Sequence, residues 1–287
     1  MRLLKIDRAA QMADDDQISD DPGTILDSFE NVSSLLQAGR AASAPRPVPS
    51  SSKPAADGSC EEVIYRSSVR PSAPRITILD DGSLDEGEVT YIRTDRIVIG
   101  RAKGDVLIGH DAAMSATHAE LARKDLGGRH AWRLRDLGSS NGTFVRCRSV
   151  TLRAGTTVLI GSKRYLFEVP PRVDYLDDLG KTAMIGHPLE NAPPVLVELS
   201  PGKGAALNRF PFHSPRISIG RPGFGNDVEL DDPCVAKLHA VVTSDASRAW
   251  HMQTQPSLNG LWVKIDSVKL TDGCLFQCGE QRFRFHL

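Results

Sequence analysis

The chain has 287 residues, room for roughly two domains of about 100–150 residues each. Its 35 Lys and Arg against 36 Asp and Glu leave a net charge of −1, which offers no electrostatic footprint for nucleic acid or an anionic membrane. An apolar content of 40% is low enough to expect a tail or linker outside the packed core, and no run of about 18 apolar residues is available to span a bilayer. The N-terminus, Met1-Arg2-Leu3-Leu4-Lys5-Ile6-Asp7, turns charged too early for a secretory leader. Five scattered cysteines, Cys60, Cys147, Cys234, Cys274 and Cys278, read as reduced intracellular thiols rather than a disulfide framework. Cys274 and Cys278 lack a second ligand pair at zinc spacing, so no metal and no cofactor is expected, and the expected location is cytoplasmic.

Residues 1–71 read as a disordered tail, acidic at Asp14-Asp15-Asp16 and Asp20-Asp21 and then dense in Ser, Pro and Ala over 41–53. One island differs: Leu26, Phe29, Val32, Leu35 and Leu36 fall near helical spacing with Gly39 as a stop, which predicts a short amphipathic helix over 25–38, marginal in isolation. From Arg75 onward short apolar runs alternate with turns. They begin at Ile76, Ile78 and Leu79, and continue through Val89–Ile92, Ile97–Ile99, Val106–Ile108, Ala119–Leu121 and Ala131–Leu134. Phe144-Val145, Val158–Ile160 and Tyr165–Val169 close the series. This rhythm predicts an all-β fold of antiparallel sandwiches, without the long helices of a doubly wound sheet. Pro170-Pro171 and Pro193-Pro194 bracket a linker, 170–193.

After the linker the pattern repeats. Gly100-Arg101 matches Gly220-Arg221, His118 follows its glycine by 18 residues and His239 by 19, and Asn141-Gly142 matches Asn259-Gly260. Trp132 and Trp250 each stand 9 residues before that asparagine, and Gly155 and Gly273 each 14 after it. Two tandem domains are therefore expected, 72–169 and 194–287.

In the first copy, Gly100-Arg101, Ser115-Ala116-Thr117-His118 and Asp136 to Val145, including Ser139-Ser140-Asn141-Gly142, are three polar loops in order between strands. This copy resembles a forkhead-associated (FHA) domain, a β-sandwich that binds phosphothreonine; the second resembles it in degraded form. The resemblance implies that Arg101, Ser115 and Ser140 contact phosphate and that Asn141 holds the peptide main chain. The residue types suit that chemistry, since a guanidinium fork, hydroxyls and an amide offer donors to a dianion and to a peptide backbone. Gly100, His118 and Gly142 are expected as structural support, Gly142 for a positive φ. Each also has a plainer reading: a solvated surface arginine, a turn serine, the common Asn-Gly turn. Many members carry a basic residue after the motif serine; here it is Ala116. In the second copy Arg221 and Asn259 are kept and Lys237 stands at the often-basic position, but Ala236 and Leu258 replace the two serines. That degenerate site is expected to bind phosphothreonine weakly or not at all. Trp132, Phe144, Trp250 and Trp262 are expected in the core.

The tail carries Asp20-Asp21-Pro22-Gly23-Thr24-Ile25-Leu26-Asp27. Thr24 is a candidate phosphosite for a Ser/Thr kinase, and thereby a ligand for the chain's own Arg101 site; it reads equally as a helix N-cap with Asp27 at N3. Thr182 in the linker is a further candidate. The expected function is a phosphothreonine-dependent adaptor in kinase signalling, whose partners are phosphothreonine proteins or its own tail. The alternative is a phosphorylation-independent scaffold. The Gly-Ser-Ser-Asn-Gly stretch is no P-loop and no hydrolase or kinase signature is present, so no enzyme is expected.

Overall fold

The structure is a computed structural model that describes residues 26–29 (backbone only), 73–125, 130–170, 192–202 and 204–287. Among the described residues there are twenty strands and no helix, as the all-β pattern predicts. After β1 (Leu26–Phe29), the first copy contributes β2 (Arg75–Leu79), β3 (Gly87–Tyr91), β4 (Arg96–Gly100), β5 (Val106–Leu107), β6 (Ala119–Asp125), β7 (His130–Asp136), β8 (Thr143–Leu152), β9 (Thr157–Ile160) and β10 (Lys163–Glu168). The second contributes β11 (Val195–Leu199), β12 (Ala206–Pro211), β13 (Arg216–Gly220), β14 (Val228–Glu229), β15 (Ala240–Ser244), β16 (Trp250–Thr254), β17 (Leu261–Ile265), β18 (Ser267–Lys269), β19 (Leu275–Cys278) and β20 (Gln281–His286).

Two sandwiches form, but neither consists of one sequence copy. In the first, a sheet ordered β5-β4-β6-β7-β18 lies against strands paired β3-β2-β20-β19-β8. In the second, β14-β13-β15-β16-β8 lies against β12-β11-β10-β9-β17. The strands after each Asn-Gly turn have exchanged places. The strands β18, β19 and β20 of the second copy close the first sandwich, where Phe283 of β20 stands opposite Ile78 of β2. Conversely β9, β10 and the far end of β8 close the second sandwich, where Phe167 stands opposite Leu196. The inter-sheet aromatic contacts follow the exchange. Trp132 meets Phe285 at 6.1 Å, and Trp250 meets Phe167 at 6.5 Å and Phe212 at 5.4 Å.

The cause lies in the hinge. Where a chain is to fold back tightly it needs residues that accept positive φ, typically Asn-Gly or Gly. The stretch Val145-Arg146-Cys147-Arg148-Ser149-Val150 has none, and it runs on as one ten-residue strand. The matching stretch Val263-Lys264-Ile265-Asp266-Ser267-Val268 has no Gly or Asn either; its one residue that tolerates a left-handed conformation is Asp266, where the strand breaks for a single residue. The two hinges pair with each other: Leu261–Ile265 runs antiparallel to Cys147–Thr143. This central ribbon joins the sandwiches. Its outward apolar residues, Phe144 and Trp262, form a small buried cluster with Leu79, Leu159 and Leu275, apart from the main core. The guanidinium of Arg282 covers the Trp262 ring at 4.9 Å, and Trp262 Nε1 donates to Asn259 O at 2.7 Å.

Two buried carboxylates latch the exchange reciprocally. Asp111 of the first copy accepts from the N–H groups of Glu280 (2.8 Å) and Gln281 (3.1 Å) of the second, while its other oxygen accepts from Ala113 N at 2.8 Å. Asp232 of the second copy accepts from Ser162 N (2.7 Å) and Ser162 Oγ (2.8 Å) of the first, and from Cys234 N at 2.8 Å. Burial pushes the Asp232 carboxyl up, but those hydrogen bonds outweigh it and hold its pKa below the usual range.

The helix expected over 25–38 is not what Leu26–Phe29 forms. These residues are strand β1, antiparallel on β8 with Leu26 opposite Val150 and Phe29 opposite Cys147. The middle of β8, where its neighbours change from one sandwich to the other, offers unpaired backbone groups. Filling them in-sheet is worth more than a helix of marginal length. The rest of that stretch, with Thr24, lies outside the described residues, as does Thr182.

Two outcomes are expected. Residues 72–169 and 194–287 expressed separately give no folded monomer, and refolding them together recovers a one-to-one complex by sedimentation; a folded monomer of 72–169 would show that its hinge closes back. Asp111→Ala lowers unfolding free energy by about 1.5–3 kcal/mol in urea titrations, the scale of hydrogen bonds to a charged group.

Candidate functional site

Three loops of the first copy meet at one end of the first sandwich. The β4 strand ends at Gly100, and the loop after it hangs on the next one: Arg101 N donates to Ser115 O at 2.9 Å, Ala102 N and Lys103 N to Ala116 O at 3.2 and 2.9 Å. The approach is close enough that a Cβ at residue 100 would lie 2.3 Å from Ala116 O, so glycine is required there on steric grounds.

His118 ties the second loop to the third. It is fully buried, its Nδ1 accepts from Ser115 N at 3.0 Å, and its Nε2 faces Gly142 O at 3.2 Å. Accepting at one nitrogen and donating at the other requires the neutral ring protonated at Nε2. Burial lowers its pKa from the ordinary value, against the raising effect of the Gly142 carbonyl and of Asp136 and Asp111.

The third loop is built on Asp136. Its carboxylate accepts from Ser139 N (2.9 Å), Ser139 Oγ (2.5 Å) and Thr143 Oγ1 (2.6 Å), and Ser139 Oγ accepts from Gly142 N at 3.0 Å. Burial raises the Asp136 carboxyl, and these donors more than reverse that shift. Gly142 takes φ +87°, as the Asn-Gly turn predicts.

The four residues expected to bind are brought together by these loops. Ser115 Oγ accepts from Ser140 N at 3.0 Å, which leaves its own O–H free to donate outward. The Asn141 Nδ2 donates inward to Ala113 O at 2.7 Å, which leaves its carbonyl oxygen for a ligand. Arg101 and Ser140 are exposed, and among the described residues neither the guanidinium nor the Ser140 hydroxyl makes a hydrogen bond.

The second site keeps the braces and uses up the charge. His239 accepts from Ala236 N at 3.1 Å and faces Gly260 O at 2.8 Å; Asn259 Nδ2 donates to Cys234 O at 2.9 Å. Arg221, however, folds back on its own loop, Nε to Val235 O at 3.1 Å and Nη2 to Pro233 O at 2.7 Å. Lys237 lies over the Phe224 ring at 5.1 Å, and the side chain of Leu258 points to solvent with the residue 85% exposed. Leu258 lines an open cavity of about 680 Å³ whose other walls carry the carboxylates of Asp80, Asp81, Asp85 and Glu86 and the guanidiniums of Arg146 and Arg284.

Because of the exchange, each site rests on a side chain from the other copy. Arg146 Nη2 donates to Leu258 O at 3.2 Å beneath the second site. Lys264 lies beside Gly142 at the first. Within the first copy, but from β10 in the other sandwich, Arg164 Nη1 donates to Asn141 O at 3.2 Å. None of these three was singled out by spacing, because each acts across the hinge rather than within a motif; Lys103, also exposed on the Arg101 loop, was legible only as a neighbour of Arg101.

The family model described as FHA domain matches residues 97–161 and 217–279. Each matched window runs through a hinge, so each is a single sequence copy and parts of two sandwiches in space. The FHA domain-containing protein FhaB of Mycobacterium tuberculosis is similar, with 32% identity over 96 residues, which is 32% of this chain and 59% of FhaB. Among solved structures, the FHA domain of CT664 from Chlamydia trachomatis has a TM-score of 0.30 and 10% identity, covering 75% of this chain and 98% of that one. Mycobacterium tuberculosis EmbR in complex with a low affinity phosphopeptide has a TM-score of 0.18 and 27% identity, covering 28% of this chain and 21% of EmbR.

The two buried histidines predict an acid response. Burial lowers both His118 and His239, so on unfolding each takes up a proton between its depressed native pKa and the ordinary value of about 6.5. Their stabilisation is full above about pH 6.5 and is lost as the pH falls below it. Urea midpoints should therefore drop between about pH 7 and pH 5, and the drop should shrink in His239→Gln; an equal drop in the variant would contradict the assignment.

Proposed function

The chain is a forkhead-associated (FHA) protein carrying two copies of that domain, and we propose that it works as a phosphothreonine-dependent adaptor through the first site alone. The observation that carries this reading is the difference between two arginines at matched positions. Arg101 is exposed with its guanidinium uncommitted among the described residues, next to the outward hydroxyls of Ser115 and Ser140. Arg221 has its donors on Val235 O and Pro233 O, with Ala236 and Leu258 where the hydroxyls would be. A phosphate dianion meets three donor groups at the first site. At the second it meets the apolar side chain of Leu258, where its desolvation is unfavourable.

Partners on this reading are proteins phosphorylated by a Ser/Thr kinase, met in the cytoplasm, and the protein joins them rather than transforming them. Its own tail is one such partner. Strand β1 constrains how: it runs antiparallel to β8 with Leu26 opposite Val150 and Phe29 opposite Cys147, so Leu26 is at the end of β1 farther from Asn141. The nine positions from Val150 back to Asn141 cover about 30 Å of strand, beyond the reach of the two steps of chain from Leu26 to Thr24. A phosphorylated Thr24 therefore engages Arg101 of a second molecule, or of its own after β1 leaves β8.

A second reading, for the second copy only, is a phosphate-independent docking surface; it is favoured by two exposed apolar side chains of that copy, Leu258 at 85% exposure and Phe224 at 51%. The test of the main reading is titration of the full chain with a phosphothreonine peptide and its unphosphorylated twin. Only the phosphorylated form should bind, Arg101→Ala should weaken it by roughly tenfold or more, and Arg221→Ala should leave it unchanged. Equal binding of the twins, or indifference to Arg101→Ala, would favour the scaffold reading.

A further inference from the structure

The exchange places a cation at the first site that the first copy does not encode. Lys264, on β17, stands opposite Phe144 of β8 in the central ribbon. Its stem runs toward the binding end of the first sandwich: a Cβ at residue 142 would lie 2.7 Å from Lys264 Cε, 3.0 Å from Cδ and 3.1 Å from Cγ. The ammonium is one bond beyond the carbon that lies closest to Gly142, next to Asn141. The residue is exposed, and no hydrogen bond or ion pair engages its ammonium among the described residues. Gly142 is thus glycine for two reasons, its φ of +87° and the lysine stem that occupies the space of a side chain.

We propose that Lys264 is a specificity-determining residue of the phosphothreonine site, supplied in place by the second copy, and that it selects a peptide with an acidic side chain flanking the phosphothreonine. This rests on the adaptor reading of the Arg101 site. The position decides between phosphate and flank as its target. Ser140, whose N–H meets Ser115 Oγ, precedes Asn141 in the loop, whereas Lys264 packs at Gly142, which follows it, beside the residue that takes the peptide main chain on this reading rather than beside the two hydroxyls. An aspartate there meets a solvated ammonium whose stem is already ordered by packing on Gly142, so little rotamer freedom is lost on pairing. The equivalent residue at the second site, Arg146, is buried and spent on the Ser257 and Leu258 carbonyls, so this reader exists at the first site only.

The experiment uses the full chain and a set of phosphothreonine peptides in which one aspartate is moved residue by residue through an otherwise neutral sequence. The wild type should bind one member of the set about 3- to 10-fold more tightly than the aspartate-free peptide, the size of a partly exposed ion pair. Lys264→Met, which keeps the stem over Gly142, should abolish that preference while the aspartate-free peptide binds as before. Lys264→Glu should reverse it, and Lys264→Arg should restore it. A preference that survives in Lys264→Met and Lys264→Glu overturns the proposal. So does a uniform loss for every peptide in Lys264→Met, since the lysine would then hold the site rather than read the flank. Failure of the adaptor reading looks different: the wild type would not distinguish phosphorylated from unphosphorylated peptides at all.

Discussion

Everything in this molecule hangs on the antiparallel pairing of Thr143–Cys147 with Leu261–Ile265. Two hinges that lack turn residues continue as strands, find each other, and deliver the following segments to opposite sandwiches. Backbone hydrogen bonding alone does not prefer this outcome over two closed copies, because the same strands pair with equivalent edges in both. What favours it is local. Arg146-Cys147-Arg148-Ser149 has no residue that accepts a left-handed conformation cheaply, Lys264-Ile265-Asp266-Ser267 has only Asp266, and the straight ribbon buries Phe144 and Trp262 between sandwiches, at 2% and 0% exposure. Asp111 and Asp232 then fix the ends of the exchanged hairpins with bonds that cross from copy to copy.

The functional asymmetry of the two copies is laid over this structural symmetry. His118 and His239 make matching contacts, and so do Asn141 and Asn259 through Nδ2, so both loop sets are held in the same way. The difference lies in what the loops present. The first keeps donors turned outward on a scaffold whose internal needs are met by Asp136, Ser139 and His118. The second, with Thr254 in place of Asp136 and Leu258 in place of Ser140, turns its arginine inward to satisfy carbonyls and leaves leucine outside. A loop set that is braced without spending its charged donors can offer them to a ligand; one that recruits its arginine for bracing cannot.

The sequence made much of this legible. Loop residues such as Gly100, Ser115, His118 and Asn141 act within a few positions of one another along the chain or across neighbouring strands, so their spacing carries their geometry. The repeat was legible for the same reason. The exchange was not, because the apolar alternation of β9, β10, β19 and β20 is satisfied equally by either partner sandwich, and only the absence of a turn at residues 146–149 hinted at it. Lys264 was invisible in principle: it reaches Gly142 from 122 positions away, through a pairing that no local pattern encodes. The apolar set at Leu26 and Phe29 fitted a helix by period, but so short a run fits a strand as well, and the open edge on β8 decided it.

The reciprocal latches have a consequence for how such a chain changes over generations. A duplicated module normally becomes dispensable once one copy loses its chemistry, since deletion removes nothing the other needs. Here the second copy supplies β18, β19 and β20 to the sandwich that bears the intact site. A deletion of residues 194–287 would strip that sandwich of three of its ten strands, so selection on the loops it carries retains the second copy whatever the second copy's own loops do. The loops of the second copy can then change while β18, β19 and β20 stay pinned by the sandwich they complete.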